Sequence, residues 1–405
     1  MLNANSAEKQ VRLNEIKKAI TTKKLRVTEA KWLVSNLEEE IRRNAFAKAK
    51  VNYFNQNLIV AKQTQNMFSP LFTDLPGHKN SGSNISSNAE IFSYYKGING
   101  VSGNYIDFRK LSDNLYSIIN CHVNGNDISA ALLTAIVATT YSLYFRNFHS
   151  GLTIDQLVYK INTSLEEKGF SANGRFANMT ISLINTLTGE SFFIGAGEES
   201  IHIYRASNSR MFKQKLPNSP AIGAFPSELI KAQKAYKVQS TVLQAGDCLF
   251  FFTDGMENSN RMLHDGISNN KQIDSEYFGL TRIYEIIDAV FNRRRYNLVR
   301  HPVPTLNEEL FFDFRKSSGN LSEAVIALAS VEKVFRLVPD PMSGTAGNIS
   351  VDSKINDFLF QHFDQYRNYF SMKVDSNDNR GKVNFTDMKE DYQTGDILIF
   401  AIRKI

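Results

Sequence analysis

Ala245-Gly246-Asp247-Cys248-Leu249-Phe250-Phe251-Phe252-Thr253-Asp254-Gly255 is the stretch on which the fold turns. The apolar run Cys248–Thr253 reads as a strand buried on both faces. Asp254-Gly255 then turns immediately off its end. A carboxylate leaving a rigid strand suits a hard divalent cation, which takes oxygen ligands. A plain turn aspartate before glycine is the simpler local reading.

Three other segments share this design, a polar group at the start or end of an apolar strand. They are Gly103-Asn104-Tyr105-Ile106-Asp107, His122-Val123-Asn124-Gly125-Asn126-Asp127 and Gly395-Asp396-Ile397-Leu398-Ile399-Phe400. Around them, Glu90–Ile98, Tyr105–Phe108, Tyr116–Cys121, Met179–Thr186, Ser191–Ala196, Ile201–Tyr204, Val238–Leu243 and Ile397–Arg403 are rich in β-branched and aromatic residues and predict strands. Ile128–Phe145, Ile154–Lys168, Leu280–Asn292 and Lys354–Phe370 carry helical patterns. Many strands with a few long helices between them predict an α+β layered domain. Residues 293–395 read as less regular. Asp127, placed just before the helix that opens at Ile128, is expected to cap it.

The order of these segments resembles the SpoIIE-like branch of the PPM-type, metal-dependent protein-serine phosphatases. The resemblance rests on Gly103–Asp107, on His122–Asp127 leading into Ala130-Ala131-Leu132, on Gly246–Gly255 and on Gly395–Leu398. Thr186–Glu190, Ala196-Gly197-Glu198 and Pro220–Gly223 fit between them. It implies an α/β/β/α sandwich of two antiparallel sheets flanked by helices. It implies an enzyme that removes phosphate from a phosphoserine-bearing regulatory protein, such as an anti-sigma-factor antagonist, using one or two Mn²⁺ or Mg²⁺ ions. The ligand set carried over is Asp254, Asp396, His122, Asn104 and the backbone at Val123, with Asp107 near the metal. No residue is assigned as a catalytic nucleophile or base.

The departures from that pattern bear on activity. Asn104 and His122 stand where the family has aspartate, and Gly395 takes the first place of the C-terminal pair. Glu198 and Asn126 replace histidines. Asparagine keeps a carbonyl oxygen but loses a charge, and neutral imidazole is a poor Mg²⁺ ligand. Two readings follow: a phosphatase with an altered centre, or a pseudophosphatase that binds a partner without hydrolysis.

The 405 residues carry a net charge of +6. Residues 1–72 hold 13 Lys/Arg against 6 Asp/Glu, so the positive charge belongs to the N-terminal segment. Only Trp32 and Phe46 are aromatic in its first fifty residues, which argues against nucleic-acid binding. Leu13, Ile16, Ile20, Val27, Ala30, Val34, Leu37 and Ile41, with Lys23 filling one position, repeat at steps of three and four and predict a coiled-coil seam that forms a homodimer. The domain expectation is a helical segment over 1–77, a flexible linker over 78–88 and the phosphatase-like domain over 89–405, with an insertion near 295–350. The uncharged stretch Ile128–Phe145 holds several Ser and Thr and reads as a core helix rather than a membrane span. A cytoplasmic location is expected, with Cys121 and Cys248 buried and reduced. Walker-type loops, Gly-x-Ser-x-Gly elbows and zinc spacings do not occur.

Overall fold

The computed structural model describes residues 11, 14, 17–18, 27–66, 81–85, 88–97, 101–125, 127–146, 152–167, 174–198, 200–264, 272–303, 305–339, 349–371, 373–374, 382–385, 388–390 and 395–405. They form two compact units, Met1–Gln63 and Thr64–Ile405.

In chain order the elements begin with α1 (Val27–Asn66), β1 (Ser81–Ile85), β2 (Ala89–Lys96), β3 (Asn104–Lys110), β4 (Leu115–Val123), α2 (Ile128–Arg146) and α3 (Ile154–Glu166). There follow β5 (Ala177–Asn185), β6 (Glu190–Ala196), β7 (Ser200–Arg205), β8 (Arg210–Lys215), α4 (Ser227–Ala232), β9 (Gln239–Val242), β10 (Cys248–Phe252) and α5 (Asp254–Glu257). The next group is β11 (Asn260–His264), β12 (Gln272–Tyr277), α6 (Gly279–Phe291), β13 (Arg295–Val303), β14 (Leu306–Asp313), α7 (Leu321–Arg336) and β15 (Leu337–Pro339). The last is β16 (Ile349–Asp352), α8 (Ser353–His362), α9 (Tyr366–Tyr369), β17 (Lys373–Val374), β18 (Lys382–Phe385), β19 (Met388–Glu390) and β20 (Ile397–Lys404).

Two antiparallel sheets face each other. One runs β1-β2-β20-β10-β7-β8, the other β3-β4-β5-β6-β9. Side chains alternate along each strand, so each sheet has an inner and an outer face. Leu249 and Phe251 of β10, Leu398 and Phe400 of β20, and Ile106, Ile118 and Phe193 from the opposite sheet fill the space between. Cys248, Phe250 and Phe252 point outward, onto α6 and α7. Tyr105, Ile119 and Ile181 point outward from the other sheet, onto α2 and α3. The result is the expected α/β/β/α sandwich. Both cysteines are buried and unpaired, and burial pushes the Cys121 thiol up to about 12.

The helix α2 is long and apolar enough to cross a membrane. Ala130, Thr134, Val137, Ala138, Tyr141 and Tyr144 nevertheless bury one side of it, in the manner of a core helix.

Three sequence expectations need correction. Residues 81–85, within the stretch expected to be a linker, form β1 and pair with β2 from Ser81↔Tyr94 to Ile85↔Glu90. An edge strand needs backbone partners more than a side-chain pattern, which is why its Ser/Gly/Asn composition hid it. The region read as less regular holds α7, every residue of which except Ser322 and Glu323 is buried. A helix buried all round has no solvent face to set a clear polar stripe. The pattern Lys354–Phe370 is broken at Phe363, which bridges to Phe312, and gives α8 and α9 instead of one helix.

In the N-terminal unit, Leu13, Ile16 and Ile20 lie outside the described residues, as does the side chain of Val27. Lys17 Nζ lies 2.9 Å from Glu38 Oε1. One unbroken helix would hold those residues about 30 Å apart. Lys17 and Glu38 are therefore closer than they would be along one unbroken helix. Val34, Leu37 and Ile41 are half-buried, whereas Trp32, Phe46, Val51, Tyr53 and Phe54 are exposed.

The outer face of β3 carries a buried polar group. Asp107 Oδ2 accepts from Tyr105 Oη at 2.9 Å and lies 3.2 Å from Arg109 Nη2. Arg109 also donates to Ser142 Oγ on α2 at 3.2 Å. Burial pushes the Asp107 carboxyl up to about 7, although Arg109, Tyr105 and the Phe108 amide all favour its charged form. Between the ordinary value near 3.8 and about 7 the folded chain holds a proton that the unfolded chain has released. Stability contributed by this group therefore falls as pH rises through that window, by up to about 1.4 kcal/mol per pH unit. Urea midpoints of the wild type and Asp107→Asn at pH 5, 6, 7 and 8 check this: the wild type should lose ground to the variant up to about pH 7. A gap that does not change with pH would show the carboxylate to be ionised throughout.

Candidate functional site

The site lies where the two sheets share one open end. Asn104 starts β3 and sits opposite His122 near the end of β4. Both share the parity of Ile106 and Ile118, whose side chains fill the inter-sheet core. From the other sheet, Asp254 follows directly on β10 and opens the short helix α5. Burial of β10 on both faces leaves Asp254 as its first polar exit, as the sequence predicted.

The three side chains meet. Asn104 Nδ2 donates to Asp254 Oδ1 at 3.1 Å, and His122 Nδ1 lies 2.6 Å from Asn104 Oδ1. His122 Nδ1 is 3.8 Å from Asp254 Oδ1. His122 and Asp254 are both part-exposed, so a ligand can reach them. The Asn104 backbone is fixed from behind, because its N–H donates to Ser102 Oγ at 3.1 Å. Ser102 in turn donates its own N–H to Gln65 Oε1 at 3.0 Å, and Gln65 Nε2 donates to Thr134 Oγ1 at 3.2 Å. Ser102 was not found in the sequence, since it belongs to no motif or periodic pattern.

Glycines allow the close approach. A Cβ on Gly103 would lie 2.1 Å from the Val123 carbonyl oxygen, and Val123 N donates to Gly103 O at 2.9 Å. Val123 thus borders the cluster through its backbone. A Cβ on Gly255 would lie 2.3 Å from the Asp396 carbonyl oxygen, and one on Gly395 3.1 Å from Gly255 Cα. Gly395 therefore packs backbone to backbone against the turn that carries Asp254. Thr253 staples the same place: its Oγ1 donates to Asp396 O at 2.6 Å and accepts from Leu398 N at 3.0 Å.

The remaining acids are placed otherwise. Asp107 shares the outward parity of Tyr105 and points away from Asn104, so it is not part of the site. Asp127 caps α2, accepting from Ala130 N at 2.8 Å, and pairs with Arg175 at 2.5 Å. Asp396 is buried, and its Oδ2 accepts from Tyr95 Oη at 3.3 Å. Asp247 of the Gly-Asp pair is structural, binding Arg205 and the amides of Ala206 and Gln244.

A cleft of about 120 Å³ opens beside Asp254, lined among others by Asn120, Thr180, Glu198, His202, Lys213 and Glu257. His202 Nδ1 lies 2.7 Å from Tyr284 Oη. Burial, helped by the nearby Lys213 cation, lowers the His202 imidazole to about 4, so it is neutral at physiological pH. The sequence marked Glu198 only as a departure. His202, Lys213 and Glu257 come from different strands and turns, with no spacing to betray them.

The donor set can be tested against a metal centre. Neighbouring donors around one small divalent ion stand about 3 Å apart. Asn104, His122 and Asp254 have that spacing, so one carboxylate, one amide and one imidazole could hold a single ion. An imidazole favours Mn²⁺, Fe²⁺ or Zn²⁺ over Mg²⁺. Two ions would bring four positive charges against one carboxylate in this cluster, and the set does not fit them. Among the described residues no group of three or more His, Cys, Asp or Glu side chains is placed to hold a metal.

The family model described as Stage II sporulation protein E (SpoIIE) matches residues 112–305. That match, over a little under half of the chain, supports a SpoIIE-like, PPM-type phosphatase family. Among solved structures, this SpoIIE-like chain is similar to the SiaA-PP2C domain of Pseudomonas aeruginosa, at 16% identity and a TM-score of 0.48, over 88% of this chain and 98% of that one. It is similar to the PP2C phosphatase domain, with a fragment of the regulatory domain, of SpoIIE from Bacillus subtilis. There the identity is 12% and the TM-score 0.43, over 99% of this chain and 96% of that one. A third likeness is the catalytic domain of the phosphatase PstP in complex with two manganese ions, at 7% identity and a TM-score of 0.37, over 78% and 99% of the two chains. No curated protein matches the chain.

The hydrogen bond from Asn104 to Asp254 yields a direct expectation for this SpoIIE-like site. Asn104→Asp adds a second carboxylate beside Asp254 without changing side-chain size. Mn²⁺ affinity by calorimetry should rise at least about tenfold, because a hard or borderline cation gains a charged oxygen. Asp254→Asn should abolish binding. Equal Mn²⁺ affinity in all three proteins would place the ion elsewhere.

Proposed function

We propose that this protein is a protein-serine phosphatase that acts on a phosphorylated regulatory partner and uses one Mn²⁺-like divalent ion. The convergence of Asn104, His122 and Asp254 at the shared end of the two sheets carries this reading. Asp254 would be the principal ligand, with the Asn104 carbonyl and the His122 imidazole completing the side-chain set. A bound ion of this class polarises a phosphoryl oxygen and lowers the pKa of a coordinated water.

The chain's own residues supply the rest. The rigid ends of β3, β4 and β10 hold the donors in place, which favours reaction by fixing geometry in advance. The cleft next to Asp254 offers Lys213 as a cation for a phosphoryl group. Glu198 and Glu257 line the same cleft and disfavour a second anion. A phosphoserine side chain with neutral or basic flanking residues fits that balance. An anti-sigma-factor antagonist is one such regulatory protein.

Hydrolysis of a small aryl phosphate with Mn²⁺ or Mg²⁺ tests the proposal. Turnover with Mn²⁺ exceeding that with Mg²⁺ is expected, with Asp254→Asn at least about a hundredfold slower. A folded protein with no turnover under any divalent ion would instead mark a module that binds its partner without hydrolysis.

We also propose that a second copy of the chain covers α1. Val51, Phe54, Leu58 and Ala61 recur at steps of three and four on one helix, Val51 and Phe54 exposed and Leu58 and Ala61 half-buried. Light scattering should give a dimer for the native chain and a monomer for the double variant Phe54→Lys, Leu58→Lys. A monomer before substitution would remove this partner.

A further inference from the structure

The outer face of the six-stranded sheet buries an ionic cluster that the site chemistry does not use. One turn of α7 supplies Glu332, Lys333 and Arg336, exposed by only 1%, 6% and 1%. Arg336 pairs with both Glu332 and Glu390, and Lys333 also pairs with Glu390. Lys96 Nζ reaches the same carboxylate at 2.5 Å. Ser259 Oγ donates to Glu332 Oε1 at 2.6 Å. Burial alone would raise the Glu390 carboxyl, but Lys333, Arg336 and Lys96 hold it well below the usual carboxylate range.

Buried ion networks are poor stabilisers, because desolvation offsets most of the attraction and apolar side chains of similar volume do as well or better. Their distinctive property is direction: each bond fixes one group relative to another. The chain positions of these contacts are therefore informative. Lys96 ends β2, and the preceding Tyr95 points to the opposite face and donates to Asp396. The β2 end is thus gripped from both faces just before the segment that delivers Asn104. Glu390 ends β19, which leads into Gly395 and Asp396. Ser259 follows the α5 turn opened by Asp254, and its carbonyl accepts from Phe278 N at 2.7 Å. Three segments that flank the site, the β2 end, the Asp254 turn and the strand leading to Asp396, are tied to one turn of α7.

We propose that Glu390, Arg336 and Glu332 are positioning residues for the Asn104–His122–Asp254 site, and that α7 is the post to which three segments flanking it are anchored. This rests on the reading of that cluster as the functional site. None of the three touches the reacting groups. They act by setting the relative placement of the β2 end, the Asp254 turn and the Asp396 strand.

The test uses the full chain and two variants, Glu390→Gln and Ser259→Ala. The first keeps the side-chain shape and removes the charge that gathers three cations. The second cuts only the link to the Asp254 turn. Imidazole nitrogen resonances report geometry independently of hydrolysis. His122 reads the site through its bond to Asn104, and His362 reads the α8 side of the core through its bond to the Asp313 carbonyl. Glu390→Gln should shift the His122 resonances, leave those of His362 in place and lower aryl phosphate turnover by roughly tenfold or more. Ser259→Ala should move His122 in the same sense by less. A folded Glu390→Gln with unmoved His122, or with His122 and His362 moving together, overturns the proposal. Should Glu390→Gln fail to fold, Ser259→Ala decides: an unmoved His122 overturns it. Absence of turnover in the native chain would count against the phosphatase reading alone, since the resonances still answer this question.

Discussion

One hydrogen bond, from the Asn104 amide to the Asp254 carboxylate, joins the two sheets at the end where the chemistry would occur. Its length is fixed by everything behind it. The inner faces of both sheets are filled by Ile106, Ile118, Phe251 and Phe400, and close packing leaves little freedom in sheet separation. Gly103 and Gly255 let the flanking backbones approach to distances that no Cβ would permit. The site is therefore a product of the core: the strands end where they do because the apolar runs end there.

The same bond explains how the chain tolerates an aspartate lacking from the position of Asn104. A bare carboxylate at the mouth of an apolar sandwich wants a positive partner. Here the amide hydrogens of Asn104 provide one, and His122 satisfies the amide oxygen. One carboxylate in the cluster is thus already partnered by a hydrogen bond. Gly395 follows a different logic. Its backbone packs against Gly255, so a side chain there would compete with the contact that brings Asp396 beside the Asp254 turn.

Much of this was legible because strands that pack on both faces spell themselves out. Cys248–Phe252 and Ile397–Ile402 are unbroken apolar runs, and the polar residues at their ends mark one end of the sheets. Asp107 shows where the reading went astray. It stands three residues from Asn104 on one strand, and an odd separation puts two side chains on opposite faces. The period alone excluded it from the site. The helix α7 was not legible for the opposite reason, since a helix buried on all sides, its few charges included, has no solvent face to mark it. The heptad stripe was real as a spacing, but spacing cannot say whether two halves pair across a turn or between chains. The Lys17–Glu38 ion pair brings two parts of the N-terminal unit together without saying what else covers the stripe. Ser102 and the cleft residues His202 and Lys213 left no trace, because proximity produced by folding need not have a local signature.

The division of labour in the second unit follows from where charge is buried. On the outer face of the five-stranded sheet, Asp107 is a carboxyl that burial drives toward its neutral form. On the outer face of the six-stranded sheet, Glu390 sits among three cations that keep it ionised in spite of burial. The first is a local accommodation, closed by Tyr105, Arg109 and Ser142 from two neighbouring elements. The second spans four chain segments far apart in sequence, and each of its bonds has a preferred direction. An apolar substitute could fill the same volume but would allow those segments to slide. A helix that is otherwise a featureless apolar cylinder gains from that cluster the one property packing alone does not supply, a fixed register against the strands whose ends form the site.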